Sequence, residues 1–117
     1  MAIFVVHEHN ASHLHWDLRL QIRGVLKSWA LPKQPQQSKT IKRLAIQVKD
    51  HPLGYANFEG EIKEGYGKGK VKIWDKGELK ITNIDDKKIE FHLKGKKLEG
   101  DYVLVNAKLG REKKIGY

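Results

Sequence analysis

The sequence has 117 residues and no cysteine, and its 23 Lys and Arg outnumber its 14 Asp and Glu, so the formal net charge is +9. This length accommodates one domain, residues 1–117, and excludes a second of ordinary size. The lack of cysteine excludes disulfide scaffolds and cysteine-ligated metal sites. The charge favours a polyanionic partner such as nucleic acid, although charge alone fits a solubilising surface equally well. No apolar run approaches about 18 residues and no cleavable signal opens the chain, so we expect a cytoplasmic protein without membrane contact.

Apolar residues recur with a period of two along most of the chain, which predicts β-strands. A short apolar run at residues 3–6 opens the chain, and residues 14–22 then alternate strictly. One face of this second strand carries Leu14, Trp16, Leu18, Leu20 and Ile22, and the other carries His15, Asp17, Arg19 and Gln21. A hairpin turn at Arg23-Gly24 leads into a strand at residues 25–31, which ends before Pro32 because proline has no N–H for the ladder.

The rest of the chain contains short strands separated by turns. Residues 32–42 form a polar, basic loop without periodicity, a length typical of a flexible or a functional segment. Further strands are predicted at residues 43–49, closed by residues 50–52, and at residues 71–74, 78–82, 88–93 and 102–105, with a helical turn near residues 52–58. Eight or so short strands without a sustained helical period indicate an all-β barrel or sandwich.

Four of the six histidines lie within residues 7–15. His15, Asp17 and Arg19 are spaced two apart on a predicted strand, so their side chains leave one face roughly 6.5–7 Å apart. The turn-like link at residues 10–12 can bring His9 back beside His15. Two imidazoles and a carboxylate suit a divalent cation such as Mn²⁺ or Zn²⁺. A guanidinium beside a metal predicts an anion between them, and phosphate fits because guanidinium binds it bidentately.

Two other interpretations of the cluster stay open at this point. The histidines can be solvated residues of an edge strand, or the start of a cupin metal motif, which also begins with His-x-His before a barrel strand. No suitable downstream histidine completes the cupin motif, since His92 lies among lysines. The position of His7 does not match the spacing of either pair of candidate ligands, and His13 precedes the predicted strand. We therefore expect His7 and His13, like His92, to lie on the surface.

Several blocks of the sequence match a known family. They are His9-x-Ala11-x-x-Leu14-His15-Trp16-Asp17-Leu18-Arg19-Leu20, Gly24-Val25-Leu26-Lys27-Ser28-Trp29-Ala30-Leu31-Pro32-Lys33, Arg43-Leu44-Ala45, Asp50-His51-Pro52-Leu53-x-Tyr55-Ala56-x-Phe58-Glu59-Gly60 and Tyr66-Gly67-x-Gly69-x-Val71-x-Ile73-Trp74-Asp75. In this order, within residues 4–75, they resemble the 3′-phosphoesterase module of bacterial and archaeal DNA ligase D.

The resemblance implies a manganese-dependent enzyme of DNA end repair, with Co²⁺ or Zn²⁺ as alternative metals, on a closed, mostly antiparallel β-barrel of about eight strands with short helical turns. The family removes a 3′-terminal ribonucleoside and then the 3′-phosphate, which leaves a 3′-OH ready for ligation. By matching positions, the implied metal ligands are His9, His15 and Asp17. The implied catalytic residues are Arg19, His51 and Tyr55. The implied phosphate-binding residues are Arg19, Lys33, Arg43 and His51, with residues 32–42 as an active-site loop.

Three departures from the family pattern predict a free-standing version without an attached ligase or polymerase. The chain starts almost at the first barrel strand, so it lacks the N-terminal arm that assists the ribonuclease step. Residues 63–67 read Lys-Glu-Gly-Tyr-Gly, one residue shorter than the family's Pro-Glu-Gly-Glu-Tyr-Gly, and the chain stops at residue 117 without the family's apolar final strand. We expect a monomer that acts on DNA 3′ ends, with a separate DNA ligase as partner.

These residue types suit phosphate-ester hydrolysis, which needs charge neutralisation, an activated nucleophile and help for the leaving oxygen. Arg19, Lys33 and Arg43 supply positive charge. His51 titrates near neutral pH, so it can stabilise the transition state or protonate the leaving oxygen. Tyr55 follows His51 by four residues, and one helical turn places both on the same side.

Two rival functions use the same composition. A basic barrel that binds single-stranded nucleic acid by charge and stacking, without chemistry, predicts steep salt dependence and indifference to changes at the metal ligands. A redox metalloenzyme requires iron and an oxidisable substrate, and no feature of the sequence favours it.

Overall fold

The structure is a computed structural model that describes residues 2–37, 43–65, 68–109 and 112–116. Strands dominate these residues, and one short 3₁₀ helix, Leu53–Asn57, confirms the predicted helical turn. The described strands are β1 Ala2–Asn10, β2 Leu14–Ile22, β3 Val25–Leu31, β4 Leu44–Pro52, β5 Gly60–Ile62, β6 Gly69–Ile84, β7 Lys88–Lys94, β8 Glu99–Leu109 and β9 Glu112–Gly116. The fold is therefore all-β, as predicted.

The antiparallel pairings between the described strands form a ring. The order is β1-β2-β3-β4-β9-β8-β7-β6, and β6 pairs again with β1, while β5 adds to the start of β6. The eight strands of this ring confirm the predicted barrel. Because β1 is paired on both sides, its backbone is held in a fixed register against β2 and β6.

The apolar faces of the strands fill the interior of the barrel. On β2 the core residues are Trp16, Leu18 and Leu20, as the alternation predicted, and they belong to one cluster with Trp29 and Phe91. The other face of β2 carries the polar residues of the strand. One strand therefore supplies both the hydrophobic core and the polar cluster described below.

The predicted end of the fourth strand is wrong, because β4 continues through a β-bulge. Opposite β3, Leu26 pairs with His51 and Ser28 pairs with Val48, so β4 uses one residue more than β3 over this stretch. Under strict alternation Asp50 would share the face of Val48. The extra residue gives this place to His51 instead, and His51 therefore lies on the same face as Ser28.

The loop after β3 is packed against the barrel over its described part, residues 32–37. Pro35 is buried beside Leu18 and Leu98 at one end of the core. The side-chain amide of Gln37 accepts a hydrogen bond from the Glu99 N–H at 2.9 Å and donates to the Glu99 carbonyl. This part of the predicted active-site loop therefore closes the barrel end, and residues 38–42 lie outside the described residues.

The sequence reasoning does not predict two of the described strands, β5 and β9. Strand β9 pairs with both β4 and β8 and so completes the ring. Its sequence, Glu-Lys-Lys-Ile-Gly, has no alternation of apolar residues, which is why no periodicity indicates it. Within the described ranges, the helical segment lacks the length and apolar character that a membrane crossing requires.

Strand β6 is a single strand of 16 residues where the sequence predicted two. It continues through Gly77, at which a Cβ atom would lie 2.0 Å from the Lys94 carbonyl oxygen, so the glycine permits close approach of β7 and does not end the strand. A shift of register against β1 places Ile73 opposite His7 and Asp75 opposite Val6. The shift therefore turns Asp75 towards the core.

The buried carboxylate of Asp75 ties β6 to the turn between β7 and β8. It accepts backbone N–H groups from Lys96 at 2.9 Å, from Lys97 at 3.1 Å and from Leu98 at 2.8 Å. Asp75 is only 3% exposed, so these charge-assisted bonds replace the water that the carboxylate loses on folding. One side chain therefore fixes the backbone of an entire turn.

We expect Asp75→Asn to lower the free energy of unfolding by about 2–4 kcal/mol, because an amide loses the charge-assisted bonds and directs N–H groups at other donors. Urea unfolding followed by circular dichroism measures the change. The matched control is Glu90→Gln, which removes a solvent-exposed ion pair with Lys88 and should leave the free energy of unfolding nearly unchanged. Equal losses in the two variants would contradict the role assigned to Asp75.

Candidate metal and phosphate site

A polar cluster lies on the outer face of β1, β2 and β3. Backbone register places six side chains together on this face: His7, His9, His15, Asp17, Arg19 and Ser28. Directly opposed residues in antiparallel strands have Cβ atoms about 4.5–5.5 Å apart. His9 is paired with His15, so the predicted return of the chain at this turn is confirmed.

His9, His15 and Asp17 direct one ligand atom each towards a common point. The three atoms lie within 4.8 Å of one another, and Asp17 Oδ2 is 3.4 Å from His9 Nδ1 and 3.3 Å from His15 Nε2. Two atoms bound to one ion at about 2.1 Å with tetrahedral geometry are about 3.4 Å apart. The spacing therefore fits a divalent ion, and the mixed nitrogen and oxygen donors suit Mn²⁺, Co²⁺ or Zn²⁺.

Asp17 carries the negative charge of the cluster. Burial raises the pKa of its carboxyl, but the hydrogen bond with His15 and the charges of Arg19, His15 and His9 outweigh burial, so the pKa lies below its ordinary value. The same hydrogen bond raises the pKa of His15. Asp17 is therefore ionised at neutral pH, as a metal ligand must be, and an ion that binds here displaces any proton on His15.

The guanidinium of Arg19 is buried, with 3% of the residue exposed, and is held from three sides. Its Nε donates to His7 Nδ1 at 2.9 Å, and its Nη1 donates to Ser28 Oγ at 2.9 Å. Its Nη2 donates to Asp17 Oδ2 at 3.3 Å. Arg19 shares this one carboxylate with two imidazoles, so a divalent ion bound beside it would leave the cluster with an excess of positive charge, which an anion would complement.

His7 and Ser28 are the two members of the cluster that the sequence did not predict as site residues. The predicted surface position is wrong: His7 is completely buried and is in phase with His9, because β1 extends to Asn10. Its Nε2 donates to the Phe58 carbonyl at 3.1 Å. Burial, and then the charge of Arg19, lower the pKa of His7 to about 4. The two-residue spacing between His7 and His9 would have indicated that both side chains lie on one face of a strand. That inference was possible only with a first strand that extends to Asn10, which the sequence did not predict.

His51 and Tyr55 lie beside the guanidinium. Their ring centroids are 4.7 Å apart, and Arg19 Cζ is 4.9 Å from the Tyr55 ring centroid. His51 Nδ1 lies 2.9 Å from the Lys49 carbonyl and 3.1 Å from Arg19 Nη1. Since the carbonyl only accepts and the guanidinium only donates, neutral His51 hydrogen-bonds one of these two partners at a time. Burial, and then the charge of Arg19, lower the pKa of His51, while burial raises the pKa of Tyr55.

A pocket of about 510 Å³ opens over the cluster, a size that suits a nucleotide. Its lining contains every residue predicted as a metal ligand or catalytic residue, namely His9, His15, Asp17, Arg19, His51 and Tyr55. Lys68, which precedes β6, adds a cation at the rim. A second pocket, of about 420 Å³, lies beside the β2–β3 hairpin, and none of these residues line it.

The structure does not bring Lys33 or Arg43 into the lining of the site pocket. Lys33 is exposed in the loop after β3, and Arg43 Nε donates to the Gln34 carbonyl at 3.0 Å. Both cations therefore lie on the described flanks of the loop and not in the cluster. His13 is exposed, and His92 has a half-exposed side chain on β7, as predicted for both.

Between pH 6.5 and about 4 the unfolded chain binds a proton at His7 and the folded protein does not. Lowering the pH through this window therefore removes stability, by up to about 3 kcal/mol. We expect His7→Gln, which cannot titrate, to lose correspondingly less stability over the same window. Urea unfolding of both proteins in EDTA at several pH values measures the difference, and parallel curves would contradict it.

Comparison with known proteins identifies the family of this chain. The family model for the DNA ligase D 3′-phosphoesterase domain matches residues 7–106. The multifunctional non-homologous end joining protein LigD of Pseudomonas aeruginosa is 46% identical over 114 residues, which cover 91% of this chain and 13% of that protein. The multifunctional non-homologous end joining DNA repair protein LigD of Mycobacterium tuberculosis is 43% identical over 107 residues, covering 87% of this chain and 14% of that protein.

A third relative, the LigD protein of Mycolicibacterium smegmatis, is 40% identical over 117 residues, covering 90% of this chain and 15% of its own length. The chain therefore spans only 13–15% of the length of these three curated relatives. The family match covers every residue of the cluster from His7 to Tyr55. The chain belongs to the DNA ligase D 3′-phosphoesterase domain family.

Proposed function

We propose that the protein is a metal-dependent phosphoesterase that heals DNA 3′ ends. It removes a 3′-terminal ribonucleoside as a phosphodiesterase and then removes the 3′-phosphate as a phosphomonoesterase, which gives a 3′-OH ready for ligation. The observation that carries this proposal is the position of the buried Arg19 guanidinium next to the His9, His15 and Asp17 donor set in one pocket. A cation beside a metal site is favourable when a phosphate binds to both.

The three donors would hold Mn²⁺, with Co²⁺ or Zn²⁺ as substitutes. When bound, such an ion polarises a phosphoryl oxygen and lowers the pKa of a water ligand. The protein contributes a charged and rigid site: Asp17 is ionised at neutral pH, and strand pairing fixes His9 opposite His15. These donors lie on a barrel wall and not on a loop, which favours a preorganised site.

Arg19 binds the phosphoryl oxygens, since its planar fork matches phosphate geometry and its charge is only partly neutralised. His51 is neutral in the substrate-free site because its pKa is lowered, and an incoming anion raises that pKa. It then holds a proton at Nε2, where the proton neutralises phosphate charge and can pass to the leaving oxygen. Tyr55 has a raised pKa, so it remains a phenol that donates and does not act as a base.

Lys33 and Arg43 contribute positive charge from outside the pocket. The hydrogen bond from Arg43 to the Gln34 carbonyl joins the two flanks of residues 38–42, which lie outside the described residues. Together with the formal net charge of +9, these cations support attraction of a DNA strand towards the pocket. We propose primer–template DNA ends as the substrate, a monomer as the active form and a separate DNA ligase as the enzyme that uses the 3′-OH product.

A labelled primer–template that ends in a 3′-phosphate, and one that ends in a single ribonucleotide, test the proposal with and without Mn²⁺. We expect conversion to 3′-OH only with the metal, and shortening of the ribonucleotide primer. His15→Ala and Asp17→Asn each lower the rate to below about 1% of wild type, because a metal ligand is lost.

The matched control is His92→Ala, which replaces a half-exposed histidine on β7 and leaves the rate unchanged. Wild-type rates in His15→Ala or Asp17→Asn would overturn the metal assignment. If both substrates bind with steep salt dependence but stay uncut with Mn²⁺, Co²⁺ and Zn²⁺, the barrel is a binding module for single-stranded nucleic acid and not an enzyme.

A further inference from the structure

We propose that His7 is a positioning residue for Arg19, and that it joins the guanidinium to the Phe58 carbonyl and so to the segment that carries Tyr55. The effect on turnover rests on the proposed phosphoesterase function. The hydrogen-bonded arrangement and its effect on phosphate binding do not, and they are tested separately below.

The two hydrogen bonds of His7 have only one consistent assignment. Arginine can only donate, so His7 Nδ1 accepts from Arg19 Nε at 2.9 Å. A carbonyl can only accept, so His7 Nε2 donates to Phe58 O at 3.1 Å. One neutral imidazole with its proton on Nε2 satisfies both partners at once. Neither lysine nor a carboxylate offers an acceptor and a donor in this arrangement.

Because both groups are buried, loss of either hydrogen bond of His7 would be energetically unfavourable. His7 is fully buried and Arg19 is 3% exposed, so water does not replace a lost partner at either group. An unsatisfied charged donor in such surroundings is strongly unfavourable, and the guanidinium would have to move to find another acceptor. His7 thus restricts Arg19 to the orientation in which Nη1 meets Ser28 and Nη2 meets Asp17.

The contacts of His7 also reach Tyr55, through Phe58. Phe58 caps the 3₁₀ helix, since its N–H donates to the Tyr55 carbonyl at 3.0 Å, and its ring stacks on Tyr55 with centroids 5.0 Å apart. Tyr55 also meets the edge of the His7 ring at 5.2 Å and covers Arg19 Cζ at 4.9 Å. His7 therefore sets the positions of Arg19 and Tyr55 relative to each other, although it does not line the pocket itself.

Two substitutions separate the hydrogen bonds of His7 from its packing. His7→Gln keeps an acceptor and a donor but loses the ring, whereas His7→Phe keeps a ring of similar size against Tyr55 and loses both hydrogen bonds. We expect His7→Phe to weaken binding of inorganic phosphate to the Mn²⁺-loaded protein, and to lower kcat/KM, by about 10–100-fold, with His7→Gln within about threefold of wild type.

Titration calorimetry measures the affinity of the Mn²⁺-loaded protein for inorganic phosphate. The affinity for Mn²⁺, measured separately, should be unchanged in both variants, since His7 is not one of the proposed metal ligands. His92→Phe is the matched control on the barrel surface, and it should leave the phosphate affinity, the Mn²⁺ affinity and kcat/KM unchanged. Phosphate affinity of His7→Phe equal to wild type would overturn the proposal. Equal losses in the Gln and Phe variants would also overturn it, because they would assign the effect to packing alone.

A measurement on the unmodified protein keeps the proposal falsifiable even if His7→Phe fails to fold. In ¹⁵N-labelled protein we expect a scalar coupling across the hydrogen bond between Arg19 Nε and His7 Nδ1, and imidazole shifts that place the proton on Nε2. A proton on Nδ1 would overturn the proposal, since that nitrogen could not accept. Absence of phosphoesterase turnover in wild type, with the coupling and the phosphate result intact, would overturn only the proposed function.

Discussion

The arrangement of the site depends on one buried guanidinium, that of Arg19. Removing the charge of Arg19 from water is unfavourable unless every direction of the fork meets an acceptor or a counter-charge. The acceptors come from three different strands: His7 from β1, Asp17 from β2 itself and Ser28 from β3. Arg19 can therefore be buried only if β1, β2 and β3 pair in the observed register, which brings all three acceptors to the guanidinium.

The same constraint explains why the cluster has the character of a binding site. Asp17 is shared between Arg19 and two imidazoles, so one negative charge serves several cationic or proton-binding neighbours. The charges of Arg19 and Asp17 alone would form a structural ion pair with no demand for a ligand. A divalent ion held by the neighbouring donors would add positive charge to the pocket, and an anion would complete it. This charge balance is consistent with the phosphate chemistry for which the family is named.

Irregularities in the strands aim several of the side chains. The β-bulge in β4 presents His51 and not Asp50 to the face of Ser28, and the shift in β6 separates Ile73 on the site side from Asp75 on the core side. Each irregularity inserts one residue, and one residue reverses the face of everything that follows it in a strand. Bulges next to a site therefore decide which of two neighbouring side chains takes part in it.

The sequence by itself determined the all-β class, the extent of β2 and β3, and the His9, His15 and Asp17 donor set. These features depend on local periodicity, a two-residue hairpin and a spacing of two along one strand, all of which are properties of neighbouring residues. The sequence could not determine the role of His7, the single course of β6 through Gly77 or the face of His51. Those depend on pairing partners that are distant in the chain, on register shifts and on burial of a polar face by the 3₁₀ helix, and only the closed barrel brings such partners together.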